Sequence, residues 1–303
     1  MKKEAKIVLS ASRRTDIPAF YMDPFMARIG AGSFKVENPF NRKVTLVPAA
    51  PRAVHSIVFW SKNYGPLLEG GYGQTLQAAG YHLFFNFTIN SHDPFLEPAV
   101  PPLSARLEQL GELCRLAGPA AVSWRFDPIC FYQTPEGTIR NNLKAFDKIA
   151  QWVAACGIRR CITSFLDLYP KVRRRAAEMS GITFLDPPLQ EKVAILIRLA
   201  GRLRGLGIAL QTCCEKEVLG ALPDGCPVTA SACIPSDLLA DLFGGGLSRR
   251  RDRGQRTGQG CGCGVSVDIG SYERHPCFHN CLFCYANPRE AGCEQHAYRP
   301  NRT

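Results

Sequence analysis

The chain contains no apolar run approaching the ~20 residues that a membrane-spanning helix needs. Its opening stretch, Met-Lys-Lys-Glu-Ala-Lys, leads into a short apolar run without the hydrophobic core or small-residue cleavage site of a signal peptide. These absences predict a cytoplasmic protein with no membrane partner. No Gly-x-Gly-x-x-Gly follows the first apolar run and no phosphate-binding Gly-Lys-Ser/Thr occurs, which argues against a Rossmann or P-loop nucleotide site. The arginine-rich stretch at 249–256 contains no aromatic residue, so it lacks the base-stacking platform of a single-strand nucleic-acid binder.

What is present fits a soluble globular protein: 303 residues, 46% apolar and 21% charged, enough for one large domain or two small ones with a buried core. The net charge of +11 suits an anionic partner, but Arg249, Arg250, Arg251, Arg253 and Arg256, less Asp252, supply +4 of it locally. Nucleic acid therefore stays open as a partner without being demanded. Fourteen cysteines in a chain without an export signal point to thiols that are reduced or metal-bound. Cys114, Cys130, Cys156 and Cys161 are scattered and read as small buried hydrophobes. The other ten fall between Cys213 and Cys293, a concentration that needs a chemical reason.

Apolar runs expected as strands occur at 6–10, 54–60, 83–89, 121–126, 160–165, 208–212 and 228–232, separated by helical periodicity at 103–117, 138–156, 190–206 and 236–243. Such alternation implies parallel strands with helical crossovers. The expected fold is a parallel (β/α) barrel, complete or partial and TIM-like, over residues 1–243. A cysteine-rich tail at 244–303, too poor in apolar residues for its own core, is expected to pack on the barrel and cap its mouth. Polar residues follow most of the strands, at the end where a barrel places its active site. Arg13, Arg14, Asp16, Lys62, Asn63, Thr88, Arg125, Asp127 and Glu215 are thus expected to converge. Taken singly, each reads more readily as a cap or loop residue. In Trp124-Arg125-Phe126-Asp127-Pro128 two opposite charges are embedded in an aromatic strand end, where burial is costly without a partner or purpose.

The tail ends in His275-Pro-Cys277-Phe-His-Asn-Cys281-Leu-Phe283-Cys284-Tyr285-Ala-Asn287. Thiolates at Cys-x3-Cys-x2-Cys can hold three irons of a [4Fe–4S] cluster and leave the fourth iron open; structural zinc is the competing reading, but it needs a distant fourth ligand. The spacing, with an aromatic residue before the third cysteine, resembles that of radical S-adenosylmethionine (SAM) enzymes. The whole chain resembles an uncharacterised bacterial and archaeal family whose C-terminal cysteine cluster has been likened to theirs. That likeness rests on Ser-Arg-Arg-Thr-Asp at 12–16, Asn-Pro-Phe-Asn at 38–41, Phe-Trp-Ser-Lys-Asn at 59–63, Trp-Arg-Phe-Asp-Pro at 124–128, Cys-Gly-Cys at 261–263, Asp-Ile-Gly at 268–270 and the terminal motif. Unlike ordinary radical SAM enzymes, this chain carries the motif after the last barrel element.

The resemblance implies an enzyme in which Cys277, Cys281 and Cys284 ligate the cluster. SAM would bind at the open iron, a carrier such as ferredoxin or flavodoxin would supply the electron, and hydrogen would be abstracted from a substrate that the sequence does not identify. Arg13, Arg14, Lys62, Asn63, Tyr285 and Asn287 are the expected cofactor-binding residues, and Asp16, Arg125, Asp127 and Glu215 the expected catalytic ones. Cys213, Cys233, Cys261 and Cys263 suffice for a second cluster or for structural zinc. The rival class is a metal-braced module associated with nucleic-acid binding or repair.

Overall fold

The computed structural model describes residues 5–38 and 41–286. Thirteen strands occur among them: β1 (Ile7–Ala11), β2 (Ser33–Glu37), β3 (Val44–Pro48), β4 (Val54–Ser61), β5 (Leu83–Thr88), β6 (Val122–Ile129), β7 (Phe131–Gln133), β8 (Ile139–Asn141), β9 (Arg160–Phe165), β10 (Thr183–Leu185), β11 (Ala209–Thr212), β12 (Thr229–Ala230) and β13 (Val267–Asp268). Eight form one sheet in the order β12-β11-β9-β6-β5-β4-β1-β13. Every pairing in it is parallel.

From β1 to β12 the order in the sheet follows the order in the chain, as expected when each strand is laid beside the last by a crossover of constant hand. Apolar stripes decide where the crossover helices pack. Leu107, Leu110 and Leu113 are buried on helix Leu103–Ala117, Phe146, Ile149, Ala150 and Val153 on Phe146–Ala155, and Ile195, Leu196, Leu199, Ala200 and Leu203 on Leu189–Arg204. These spacings put each set on one helical face. Strand alternation sorts the rest. Trp124 and Phe126 pack on Phe146, whereas Arg125 and Asp127 project from the other face. That other face carries a separate cluster in which Val8, Val58, Phe84 and Ile162 meet Cys213, Cys233, Cys261 and Cys263.

The seven expected main strands are present, and the expected barrel is realised as a mixed α/β fold with an open parallel sheet. Among the described residues no ladder joins β12 to β13. The tail fills the seam instead. Gly264 donates its backbone N–H to Ile234 O at 3.0 Å, and residues 267–268 pair with β1. The expected helix at 138–156 begins later. Residues 139–141 form β8, which pairs with β7, and Asn142 then turns the chain by accepting from Cys130 N and donating to Pro128 O. Only Phe146–Ala155 is helical. The β2–β3 hairpin and the β10-β7-β8 sheet are additions to the expected elements. Among the described residues no helix is long and apolar enough to cross a membrane.

Candidate functional site

Asp268 fastens the tail to the first strand. Its carboxylate accepts from Ser10 Oγ (2.8 Å), Ser12 Oγ (2.6 Å) and the backbone N–H groups of Arg13 (2.7 Å) and Gly270 (3.0 Å). Four donors on one carboxylate make a strong anchor. Gly270 is required by space, because a Cβ there would lie 2.1 Å from Ser12 Oγ. The matched segments Ser-Arg-Arg-Thr-Asp and Asp-Ile-Gly, far apart in sequence, are two sides of one joint.

The joint aims the terminal motif at the strand ends. Cys277, Cys281 and Cys284, together with Asp16, Lys62, Arg125, Asp127 and the remaining cysteines of the second set, line one cavity of about 750 Å³. Asn280 has φ +55°, a left-handed conformation that Asn tolerates better than most residues, in the turn between the first two cysteines. His279 is buried and faces Asp16 Oδ2 through Nε2 (2.8 Å), while Nδ1 lies 3.2 Å from Ala99 O. Asp16 also accepts from Lys62 N (2.9 Å) and from Ala19 N (3.0 Å), where it caps helix Ile17–Phe20. It thus ties the β1 loop, the end of β4 and the cysteine loop together.

Beneath Cys281 lies a buried charge network. Lys62 Nζ donates to Glu97 Oε1 (2.6 Å), which also accepts from Asn90 Nδ2 (3.0 Å). Lys62 stands 5.2 Å from the centre of the Phe283 ring. Burial opposes its charge, but the Glu97 carboxylate and then Cys281 outweigh burial and raise its pKa. Burial likewise opposes the Glu97 charge, and Lys62 followed by Arg106 outweighs it and lowers that pKa. Arg106 is fully buried, its Nη1 and Nη2 have no hydrogen-bond partner among the described residues, and its pKa is lowered by burial. Near the third thiol, Arg175 Nη1 donates to Cys284 O (2.7 Å) and Ala286 N to Cys284 Sγ (3.3 Å).

The second cysteine set lies at the seam of the sheet. Cys213 Sγ is 3.6 Å from Cys233 Sγ and 3.7 Å from Cys214 Sγ. Cys233 also contacts Cys263, Cys263 contacts Cys261, and Cys261 contacts Cys214, so five thiols close a ring. Arg125 Nη1 lies 2.8 Å from Cys233 Sγ, and its Nη2 donates to Asp127 Oδ2 (2.5 Å). Arg13, 5.3 Å above the Trp60 ring, stands beside Cys263 and Cys233. Its Nη1 donates to Ser266 Oγ (3.3 Å), and its guanidinium also meets the Cys263 thiol. Contacts from the Cys233 and Cys261 thiols, then the Arg13 charge, push the Cys263 thiol far below its ordinary pKa. Among the described residues no three His, Cys, Asp or Glu side chains converge as the shell of a single ion.

Of the expected site residues, Arg13, Arg14, Asp16, Lys62, Arg125, Asp127, Tyr285 and all seven cysteines line the cavity. Arg13 and Arg125 stand against the second cysteine set rather than the terminal motif. Asn63 and Glu215 are not among the lining residues. Asn63 Oδ1 accepts from Gly65 N (3.0 Å) and Gln109 Nε2 (2.9 Å), a local cap. Glu215 accepts from Phe165 N (2.7 Å), and burial raises its pKa to about 7. Asn287 and Cys293 lie outside the described residues, as do the central two residues of the motif at 38–41. Sequence reasoning did not single out Glu97, Arg106 and His279, which the structure places beside the terminal cysteine motif. His279 had a signal in its place inside the cysteine motif, whereas Glu97 and Arg106 had none.

The family described as Domain of unknown function (DUF1848) matches residues 8–286, and the chain belongs to it. No curated protein matches the chain.

Proposed function

We propose that this DUF1848 member is an iron–sulfur enzyme of the radical SAM type, acting on a substrate held in the 750 Å³ cavity. One observation carries the reading: the three terminal thiols open onto the same cavity as the acidic and cationic strand-end residues. The volume lies within the ~300–1,000 Å³ usual for small-molecule sites. The donor set fits a [4Fe–4S] cluster with one open iron. Each thiolate binds its own iron, so convergence on one ion is not required. When bound, the reduced cluster with SAM would supply a hydrogen-abstracting adenosyl radical.

The protein's own residues perform the other tasks. Cys277, Cys281 and Cys284 are the cluster ligands. Burial pushes the Cys281 and Cys277 thiols up, and the Lys62 charge, partly balanced by Glu97, works against burial and toward thiolate. Asp16 orients His279 and thereby the cysteine loop. Arg14, Asp127 and Tyr285 on the cavity wall offer cationic, anionic and aromatic contacts suited to the carboxylate, amine and ring systems of SAM.

The decisive experiment is anaerobic reconstitution and dithionite reduction with SAM, assayed for 5′-deoxyadenosine and for a SAM-induced change in the paramagnetic resonance of the reduced cluster. Both signals should be present in the wild type and absent when Cys277, Cys281 and Cys284 are changed to Ala. If clusters are intact and millimolar SAM changes nothing, the radical SAM reading is wrong.

A further inference from the structure

The thiol ring stands where the eight-stranded sheet fails to close. Cys213 follows β11, Cys233 follows β12, and Cys261 and Cys263 precede β13 on the returning tail. The two edges of the sheet therefore each contribute two buried thiols to one point. One backbone hydrogen bond ties the tail to the β12 side of the seam: Gly264 N donates to Ile234 O (3.0 Å). A Cβ on Gly262 would lie 3.0 Å from Ser231 O, so the tail already runs as close to the β12 side as the backbone allows. Two guanidinium groups, Arg13 and Arg125, flank the ring, Arg13 against Cys263 and Arg125 against Cys233. Cationic groups at a buried set of thiols are what a thiolate-ligated centre needs for charge balance.

We propose that Cys213, Cys233, Cys261 and Cys263 hold a second iron–sulfur cluster that clamps the open seam of the sheet, with Cys214 as a fifth, non-ligating thiol on its cavity side. Single-ion zinc fits less well. Cys213 stands 3.6 and 3.7 Å from Cys233 and Cys214, close to the roughly 3.8 Å edge of a tetrahedron with 2.3 Å Zn–S bonds, yet among the described residues no three such side chains converge as the shell of a single ion. A polynuclear core asks only that each thiolate reach its own iron. Cys214 is singled out by two observations. It is half-buried whereas the other four are buried, and its φ of +61° is a left-handed conformation rare for a residue with a Cβ. That twist brings Cys214 to the same side as Cys213, where an extended strand would alternate them. Such an outlier is characteristic of a functional position.

The cluster would also face the cavity across from the terminal motif, since all five thiols line it. This inference does not depend on SAM chemistry at the terminal motif. The test uses the full chain, purified anaerobically, carrying Cys277→Ala, Cys281→Ala and Cys284→Ala. It should retain about four irons and four sulfides per chain. Adding Cys263→Ala should abolish them, and adding Cys214→Ala should leave them in place. Iodoacetamide followed by mass spectrometry should label Cys214 and spare the four ligands until a chelator is added. Trypsin should cut the arginine run at 249–256 faster once the cluster is removed. Stoichiometric zinc, absence of metal, or equal loss with Cys214→Ala and Cys263→Ala would each overturn the proposal. Failure of the SAM assay alone would leave it standing, because the terminal cysteines are absent from this variant.

Discussion

Replacing Glu97 should damage the protein more than replacing Lys62, although the two form one ion pair. Glu97 Oε1 accepts from Lys62 (2.6 Å) and Asn90 (3.0 Å), and the same carboxylate is the counter-charge for Arg106, whose terminal nitrogens have no hydrogen-bond partner among the described residues. Glu97→Gln leaves two buried cations without a neutralising partner. Removing one member of a buried pair costs about 3–5 kcal/mol. At roughly 2–4 °C per kcal/mol for a chain of this class, the melting temperature should fall by on the order of 6–20 °C. Lys62→Met removes one charged hydrogen bond of about 1.5–3 kcal/mol but leaves Glu97 with Asn90 and the Arg106 charge. Its fall should be about half as large. Differential scanning fluorimetry at fixed scan rate gives the order of the two variants. Repeating it in the Cys277→Ala, Cys281→Ala, Cys284→Ala background separates buried-charge effects from loss of any cofactor. If Lys62→Met proves as destabilising as Glu97→Gln in that background, Glu97 does not serve two cations.

Two other outcomes follow from the structure. Gly270→Ala would place a methyl 2.1 Å from Ser12 Oγ and should cost about 1–3 kcal/mol through overpacking; thermal melts should show a smaller cost for the same change in a Ser12→Gly background, and a neutral Gly270→Ala would mean the tail joint is loose. His55 is buried, with Nε2 donating to Gly244 O (2.8 Å) and Nδ1 placed to accept from Ser56 Oγ (3.2 Å), and burial holds its pKa below the usual value. Because the folded pKa is depressed, its contribution is complete above pH ~6.5 and is lost as pH falls below that. The wild-type melting temperature should therefore drop more steeply between pH ~6.5 and 5 than that of His55→Gln, and parallel curves would refute this role.

The sequence by itself determined the strands, the main crossover helices and the gathering of cysteines in the second half of the chain. These are signals of period and spacing: apolar runs too continuous for anything but buried parallel strands, and thiols too close together in sequence to be incidental. It also placed charged residues after the strands, which brought most of the expected set to one cavity. Tertiary structure decided which partner each residue met. Arg125 and Asp127 project from one face of β6 because Trp124 and Phe126 occupy the other, and this alternation directs Arg125 to Cys233 rather than to the terminal cysteines. Asp268 meets Ser10 and Ser12 only because the tail returns to pair with β1. Glu97 and Arg106 acquire meaning only when a loop and a helix bury them beside Lys62. Periodicity reports which face of an element is apolar, but it carries no information about which distant polar group must be neutralised when two such faces close, and that choice belongs to the packed chain alone.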